Sequence, residues 1–396
     1  MSHYSEMNMS PGATCLAATI LILATTPCLG GQSAATDLAS RIRVVETNLR
    51  PGDGTGWTIE DRMAYYGVPG VSVAVIEDGR LLWAKGYGLK QAGTTDLVDT
   101  ETVFSVGSVS KVGAAAITLQ LVDEGRLDLD RDVNDYLARW NVPSNELTAR
   151  EPVTLRRIMS HTAGLTVHGF GNYQPGQALP SLVQILDGTP PAKNPPVRVD
   201  LLPGSQFRYS GGGTTVEQLV IEEVTGLPFA EAARRYLFEP LGMHRSTYAN
   251  PLPAGHGNIA RAHGPEGAPR ALPRGWEAMP EAAAAGLWTT PTDLAHLIIA
   301  LIESYRGGGD TFLRHETAKD MMTEVPPGIY GLGPELGGEG PTRNFVHGGV
   351  NDSYRAFMAG YLAEGDGLVI LTNGPRSSEL IFEIRRAVDL AGWPSH

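Results

Sequence analysis

Two periodicities divide this chain. Val71 to Ile76 and Leu81 to Gly86 alternate apolar and polar positions with the period of strands, and Asp78-Gly79 between them is a hairpin signal. The pattern returns at the far end, in Phe345-Val346, Tyr354 to Leu362 and Leu368 to Asn373, the last two joined by Gly365-Asp366-Gly367. The middle is helical: Val109 to Glu124 closed by Gly125, Val153 to Met159, Thr214 to Val224, and Pro228 to Phe238. Thr290-Pro291-Thr292-Asp293 opens a further helix running through Ile302, with a cap, a proline in the first turn and an early acid. Thr36 to Leu49, Thr58 to Tyr66 (Thr58 and Asp61 spaced as a capping box) and Phe382 to Ala391 read as helices at the two ends. The pattern predicts an α/β fold: one antiparallel sheet built from both chain ends with flanking helices, plus an inserted all-helical subdomain. The expected sheet domain covers 36–112 and 281–396, and the helical subdomain with long loops covers 113–280. Gly169 to Pro203 reads as loop and residues 250–280 as a long surface excursion, both rich in proline and glycine.

Composition changes this picture little. The 396 residues are 42% hydrophobic and 19% charged, an ordinary globular profile, and the formal net charge is −12. With no Lys/Arg cluster, nucleic acid is not an expected partner. Ala13 to Thr26 is an apolar run too short to span a bilayer comfortably, and Ser33-Ala34-Ala35 resembles a processing site. Residues 1–35 are therefore expected to be a secretory leader, giving a secreted or periplasmic protein with no stable membrane span after its removal. No Lys or Arg precedes the apolar run, so an uncleaved anchor is the alternative. Both cysteines, Cys15 and Cys28, fall inside that leader, so the mature chain is expected to lack disulfides, thiol nucleophiles and thiolate metal sites.

Candidate chemistry starts at Ser108-Val109-Ser110-Lys111, where a strand-like run, Thr102 to Ser105, meets the first central helix. A serine and a lysine three apart share one helix face, roughly 5–6 Å apart at Cβ. Only five lysines exist (Lys85, Lys90, Lys111, Lys193 and Lys319), and only Lys111 has a serine three residues before it. The helix is apolar nearly all round, so Lys111 should be buried and its charge disfavoured. A lysine snorkelling from a core helix is the bland alternative. Tyr209-Ser210-Gly211 stands just before a helix, where a phenol could share a proton with Ser108. His347-Gly348-Gly349 follows strand residues; its glycines would admit a substrate backbone, and the N–H of Val350 could join that of Ser108 in an oxyanion site. A packed tyrosine and a strand-end bulge with an exposed histidine are the corresponding structural alternatives. His161 reads as a loop support, His168 and Phe170 as candidates to line a cleft, and Trp288 as core.

Taken together, Ser108-x-x-Lys111, Tyr209 and His347-Gly348-Gly349 resemble the motifs of the penicillin-recognising serine hydrolases, in the branch of class C β-lactamases, D-Ala-D-Ala carboxypeptidases and family VIII carboxylesterases. Val68-Pro69-Gly70-Val71-Ser72-Val73, Ser160-His161-Thr162-Ala163-Gly164-Leu165 and Ala285-Gly286-Leu287-Trp288 extend the likeness, which covers roughly Val44 to Trp393. The resemblance implies a β-lactamase/transpeptidase-like fold with a site between its two parts. It also implies Ser108 as nucleophile, Lys111 as base and Tyr209 as proton relay, with Gly211, His347, Gly348, Gly349 and Val350 around substrate. No cofactor or metal is implied. Two departures stand out: Gly211 replaces an asparagine of the family's second motif, which would leave Lys111 more loosely held, and His347 replaces the lysine of its third. The expected partners are small-molecule esters first, D-amino-acid peptides or amides second and β-lactams third; a non-catalytic scaffold member is the rival from another class. A lipase-like Gly-x-Ser-x-Gly and a metalloprotease His-Glu-x-x-His are both absent from the sequence.

Overall fold

A computed structural model describes residues 29–50, 56–253, 255–273, 277–309 and 311–394. The described residues from Arg41 onward form one compact unit. At its centre is a six-stranded antiparallel sheet ordered β2-β1-β8-β7-β6-β5. Its strands are β1 (Gly70–Glu77), β2 (Arg80–Gly88), β5 (Glu335–Gly337), β6 (Asn344–Val350), β7 (Arg355–Tyr361) and β8 (Asp366–Thr372); β3 (Phe104–Ser105) and β4 (Trp288–Thr289) pair separately. Asp78 and Gly79 both take positive φ (50° and 70°), the two-residue turn whose twist matches the flanking strands. β1 lies between β2 and β8, with Val73 opposite Ile370, so the two chain ends meet in mid-sheet as the hydrophobic pattern predicts.

Short-range chemistry sets the helix ends. Thr58 caps Ile59–Tyr66 in a reciprocal box with Asp61. Thr290 accepts from the Asp293 N–H and opens Pro291–Arg306, which packs its apolar face on β1, β7 and β8. The Ser110–Asp123 helix is buried along almost its whole length, and Gly125 just beyond it takes φ +72°. It packs against Gly211–Thr225 and the short Ala282–Ala285 helix, so the segment carrying Ser108 and Lys111 is enclosed by apolar neighbours.

Several expectations are corrected. The loop assigned to Gly169–Pro203 holds a helix, Leu182–Asp187, with its own Ser181/Gln184 capping box; prolines on both sides mask that signal. The helix expected from Thr214 begins at Gly211, because three glycines let the 166–170 segment lie against its first turn: a Cβ on Gly212 would sit 2.7 Å from the Thr166 carbonyl oxygen. Residues 250–280 are no simple surface excursion, since Ile259, Ala260, Ala262, His263, Ala278 and Met279 are buried and Ile259 bridges to Val103. Short elements at His315–Met321, Ala282–Ala285, β4 and β5 carry too few residues for periodicity to show. The helix expected from Thr36 starts at Leu29 and ends at Thr47. The apolar run Ala13–Thr26 and both cysteines lie outside the described residues. Among the described residues no helix is long and apolar enough to cross a membrane.

Candidate active site

Ser108 sits in a single 3₁₀ turn, Gly107–Val109, that runs directly into the Ser110–Asp123 helix. N–H groups at such a start have no acceptor within the helix. Ser110 fixes the turn: its hydroxyl donates to the Gly107 carbonyl (2.5 Å) and accepts from the Leu287 N–H (2.9 Å), while the Tyr248 hydroxyl donates to the Ser110 carbonyl (2.6 Å). Gly107 takes φ +50°, and a Cβ there would meet the Val350 nitrogen at 2.6 Å. Glycine is required by both conformation and space, and its smallness brings the Ser108 turn against the end of β6.

Lys111 is 5% exposed and donates from Nζ to the Ser108 hydroxyl (3.1 Å) and to the Ala284 carbonyl (2.7 Å). Burial pushes its pKa down to about 7, against an opposing pull from the Glu217 carboxylate. Glu217 is itself buried, accepts a 2.7 Å bond from the Thr118 hydroxyl, and is pushed up to about 7 by burial. The expectation that Gly211 leaves Lys111 loosely held is corrected, because the Ala284 carbonyl supplies the acceptor. The space beside Gly211 belongs to Phe170, 3.0 Å from where a Cβ would be.

Tyr209 lies beside the pair: its phenol is close enough to Ser108 that, against the upward push of burial, the serine hydroxyl pulls its pKa down, and Lys111 Nζ lies 5.0 Å from its ring centre. Burial pushes the phenol up to about 12, so at neutral pH it carries its proton. Its placement depends on a residue the sequence reading had given only a loop-supporting role. The His161 carbonyl accepts from the Arg208 N–H (2.8 Å), and its Nδ1 accepts from the Ser210 N–H (3.2 Å). The backbone N–H groups of both neighbours of Tyr209 are thus held by His161, whose ring packs 4.1 Å from the Tyr209 ring. His161 is buried and adopts φ +59°, a backbone region uncommon for residues other than glycine, in which Asn, Asp and His are the enriched exceptions. Since Nδ1 accepts, Nε2 carries the hydrogen, and among the described residues it has no partner.

β6 forms the opposite wall. The Asn351 N–H donates to the Tyr354 carbonyl (3.1 Å), so by the alternation of an antiparallel ladder the Val350 N–H points away from β7, towards the Ser108 turn. Gly349 permits this approach, since a Cβ there would lie 1.9 Å from the Val106 carbonyl oxygen. Asn351, missed in the sequence, ties the wall together by donating to the Ser105 hydroxyl (2.6 Å) and the Ala285 carbonyl (3.3 Å). Gly348 is exposed, and β5 pairs with β6 only over Asn344–Val346, so beyond that point the strand edge is open. His347 is not the exposed histidine of a strand-end bulge: it is 4% exposed and in continuous register with Met358. Its Nδ1–H donates to the Gly348 carbonyl (2.7 Å), and burial, with the nearby Lys111, depresses its pKa to about 4. At neutral pH it is uncharged and offers no cationic clamp.

These residues surround a cavity of about 360 Å³ with Ser108 and Lys111 at its base and Gly211, His168, Phe170 and Val350 on its walls. His168 and Phe170 line it as expected, and Trp288 is fully buried as core. Arg355 and Asp352, on the β6–β7 hairpin, form part of its rim and were not foreseen.

An antiparallel sheet made from both chain ends, with a Ser-x-x-Lys turn at the start of a buried helix, defines the class. The sequence profile of the Beta-lactamase family matches residues 58–392, and the chain belongs to that family. The chain is 35% identical over 179 residues to penicillin-binding protein 4 of Amycolatopsis lactamdurans, a match covering 45% of this chain and 44% of the relative. It is 32% identical over 200 residues to unguisins hydrolase ungD' of Aspergillus campestris, covering 46% of this chain and 33% of the relative. It thus spans less than half the length of these relatives. In fold it is similar to a β-lactamase/D-alanine carboxypeptidase from Pseudomonas syringae, with a TM-score of 0.68 at 18% identity, covering 91% of this chain and all of that one.

Proposed function

We propose that this protein is a secreted serine acyl-hydrolase acting on short carboxylic esters through an acyl-enzyme. The observation that carries the reading is the 3.1 Å contact between the Lys111 amine and the Ser108 hydroxyl, with Lys111 poised near neutrality by burial. Ser108 Oγ attacks the ester carbonyl carbon, and its proton passes to the uncharged Lys111 amine. The carbonyl oxygen becomes an oxyanion between the Ser108 and Val350 N–H groups. Collapse of that intermediate breaks the bond to the alkoxy oxygen. Tyr209, protonated at neutral pH, gives that oxygen its proton and is reprotonated from Lys111. Water then enters, loses a proton by the same route in reverse and attacks the acyl carbon, releasing the carboxylic acid and restoring Ser108.

Esters come first because Gly211 offers no side-chain amide to bind the nitrogen side of a scissile amide. The edge of β6 left unpaired by β5 at Gly348 favours a second reading, a D-amino-acid peptidase or amidase, since an extended substrate backbone could lie along it. Export rests on the apolar run Ala13–Thr26 and is tested by sequencing the N-terminus of protein recovered outside the cytoplasm. The activity is tested by incubation with a fluorophosphonate, mass spectrometry of the modified peptide, and turnover of p-nitrophenyl esters, D-alanyl peptides and nitrocefin. The label is expected on Ser108, and Ser108→Ala is expected to lose both label and turnover. Near-full turnover by Ser108→Ala would end the proposal, and strong nitrocefin hydrolysis without esterase activity would reverse the substrate order.

A further inference from the structure

A second hollow of about 420 Å³, bordered by Tyr209, shares His168 with the 360 Å³ cavity. Phe207, Ile329 and Tyr330 give it an apolar aromatic floor, His168 and Tyr209 border it, and Glu335 closes one end. Phe207 and Ile329 are 39% and 54% exposed, large apolar side chains left open to water beside the candidate site. The floor is held in place: Phe207 stacks on Tyr330 (5.4 Å, 25°), and Tyr330 packs edge-on to His161 (5.1 Å) and Tyr209 (6.2 Å). His168 lines both hollows, and Tyr209, whose phenol feels the Ser108 hydroxyl, lines the second.

We infer that this hollow is the leaving-group subsite, shaped for a flat, uncharged aromatic alcohol. The inference rests on the proposed acyl-enzyme route. There the alkoxy oxygen takes its proton from the Tyr209 hydroxyl, so it must lie against that hydroxyl, and the carbon skeleton behind it extends past the Tyr209 ring. The surface waiting there is the Phe207–Ile329–Tyr330 floor. A planar apolar group stacks on it, and the Glu335 carboxylate repels an anionic one. The hollow therefore acts on acylation alone, because the alcohol has left before water attacks the acyl group.

The test is a set of butyrate esters with one acyl group and alcohols of similar acidity: ethyl, benzyl and 2-naphthylmethyl. In the wild-type protein kcat/KM is expected to rise about tenfold from ethyl to benzyl, the scale on which an apolar pocket discriminates. Ile329→Asp, at a half-exposed position, is expected to compress that ratio towards one, while the deacylation rate constant, measured on the common butyryl-enzyme, stays independent of the alcohol. Fluorophosphonate labelling of Ser108 reports in each protein that the nucleophile is in place. A flat wild-type series with labelling intact overturns the subsite and leaves the hydrolase standing. A benzyl preference that survives Ile329→Asp also overturns it, and a change of oligomeric state in that variant would then assign the patch to a second copy of the chain. Absence of both labelling and hydrolysis in the wild type would bring down the reading beneath it as well.

Discussion

The two walls of the cleft hold their reacting groups by different means. On one wall Ser108 and Lys111 come from the same turn, and contacts to the backbone around that turn (Ser110 to Gly107 and Leu287, Gly107 against Val350) fix them. On the other, Tyr209 stands on a loop, and one buried histidine accepts from the N–H groups of Arg208 and Ser210 on either side of it. The first arrangement follows from helix geometry and needs few residues. The second depends on a left-handed residue 48 positions away in sequence and leaves a buried N–H without a partner among the described residues. If this difference matters, damage to the first wall should remove a reacting group, whereas damage to the second should only misplace one.

The sharpest break on the first wall is Val350→Pro. Val350 is 63% exposed and its N–H lies outside the β6–β7 ladder, so proline removes that donor without breaking a ladder bond; its ring also faces Gly107 in the Ser108 turn, so fluorophosphonate labelling of Ser108 must accompany the rate. The rate of acylation is expected to fall about 10²–10³-fold, as for removal of one oxyanion donor. Stopped-flow acylation alongside thermal melting checks this; a variant that melts normally and acylates at wild-type speed would remove Val350 from the oxyanion site. On the second wall, His161→Ala is expected to lower kcat by about ten- to a hundredfold, the cost of a misplaced catalytic group. His161→Asn should recover most of it. Asparagine tolerates the left-handed backbone, and its side-chain oxygen can replace Nδ1 as acceptor for the Ser210 N–H. Ser108 labelling should persist in both. Equal damage in the two variants would show that the ring, and not its acceptor nitrogen, sets Tyr209.

This contrast also explains what could be read in advance. The sheet from both chain ends was legible because alternation, the Asp78-Gly79 turn and capping residues act over a few positions. The spacing of Ser108 and Lys111 was legible because a helix places residues three apart on one face. His161 was not, since a single histidine near a glycine carries no periodic signal and its partners lie in Arg208 and Ser210. Asn351 and Ala284 escaped for the same reason: one joins β3 to the Ala282–Ala285 helix, and the other acts through a carbonyl that every residue possesses. His347 was located but its charge was not, because its low pKa comes from burial, a property of the assembled fold.

The smallest expected effect tests how finely the first wall is tuned. Lys111 must be uncharged to take the serine proton, so kcat/KM should rise with pH through a midpoint near 7. The other titratable groups coupled to it leave that limb alone: His161 and His347 are depressed below the neutral range and Tyr209 is raised above it. Of the groups that act on the Lys111 charge, Glu217 has a pKa close to it. Its carboxylate favours the protonated amine and so raises the Lys111 pKa. Glu217→Gln keeps an oxygen to accept from Thr118 but removes the charge, so the Lys111 pKa falls and the rising limb moves to lower pH. The shift should be less than about one unit, because a carboxyl raised to about 7 is only partly ionised where the lysine titrates. The variant should therefore gain on the wild type at pH 6 and match it at pH 9. A limb that stays in place would mean that burial alone sets the lysine, and a limb that moves upward would contradict the assignment of Lys111 as the base.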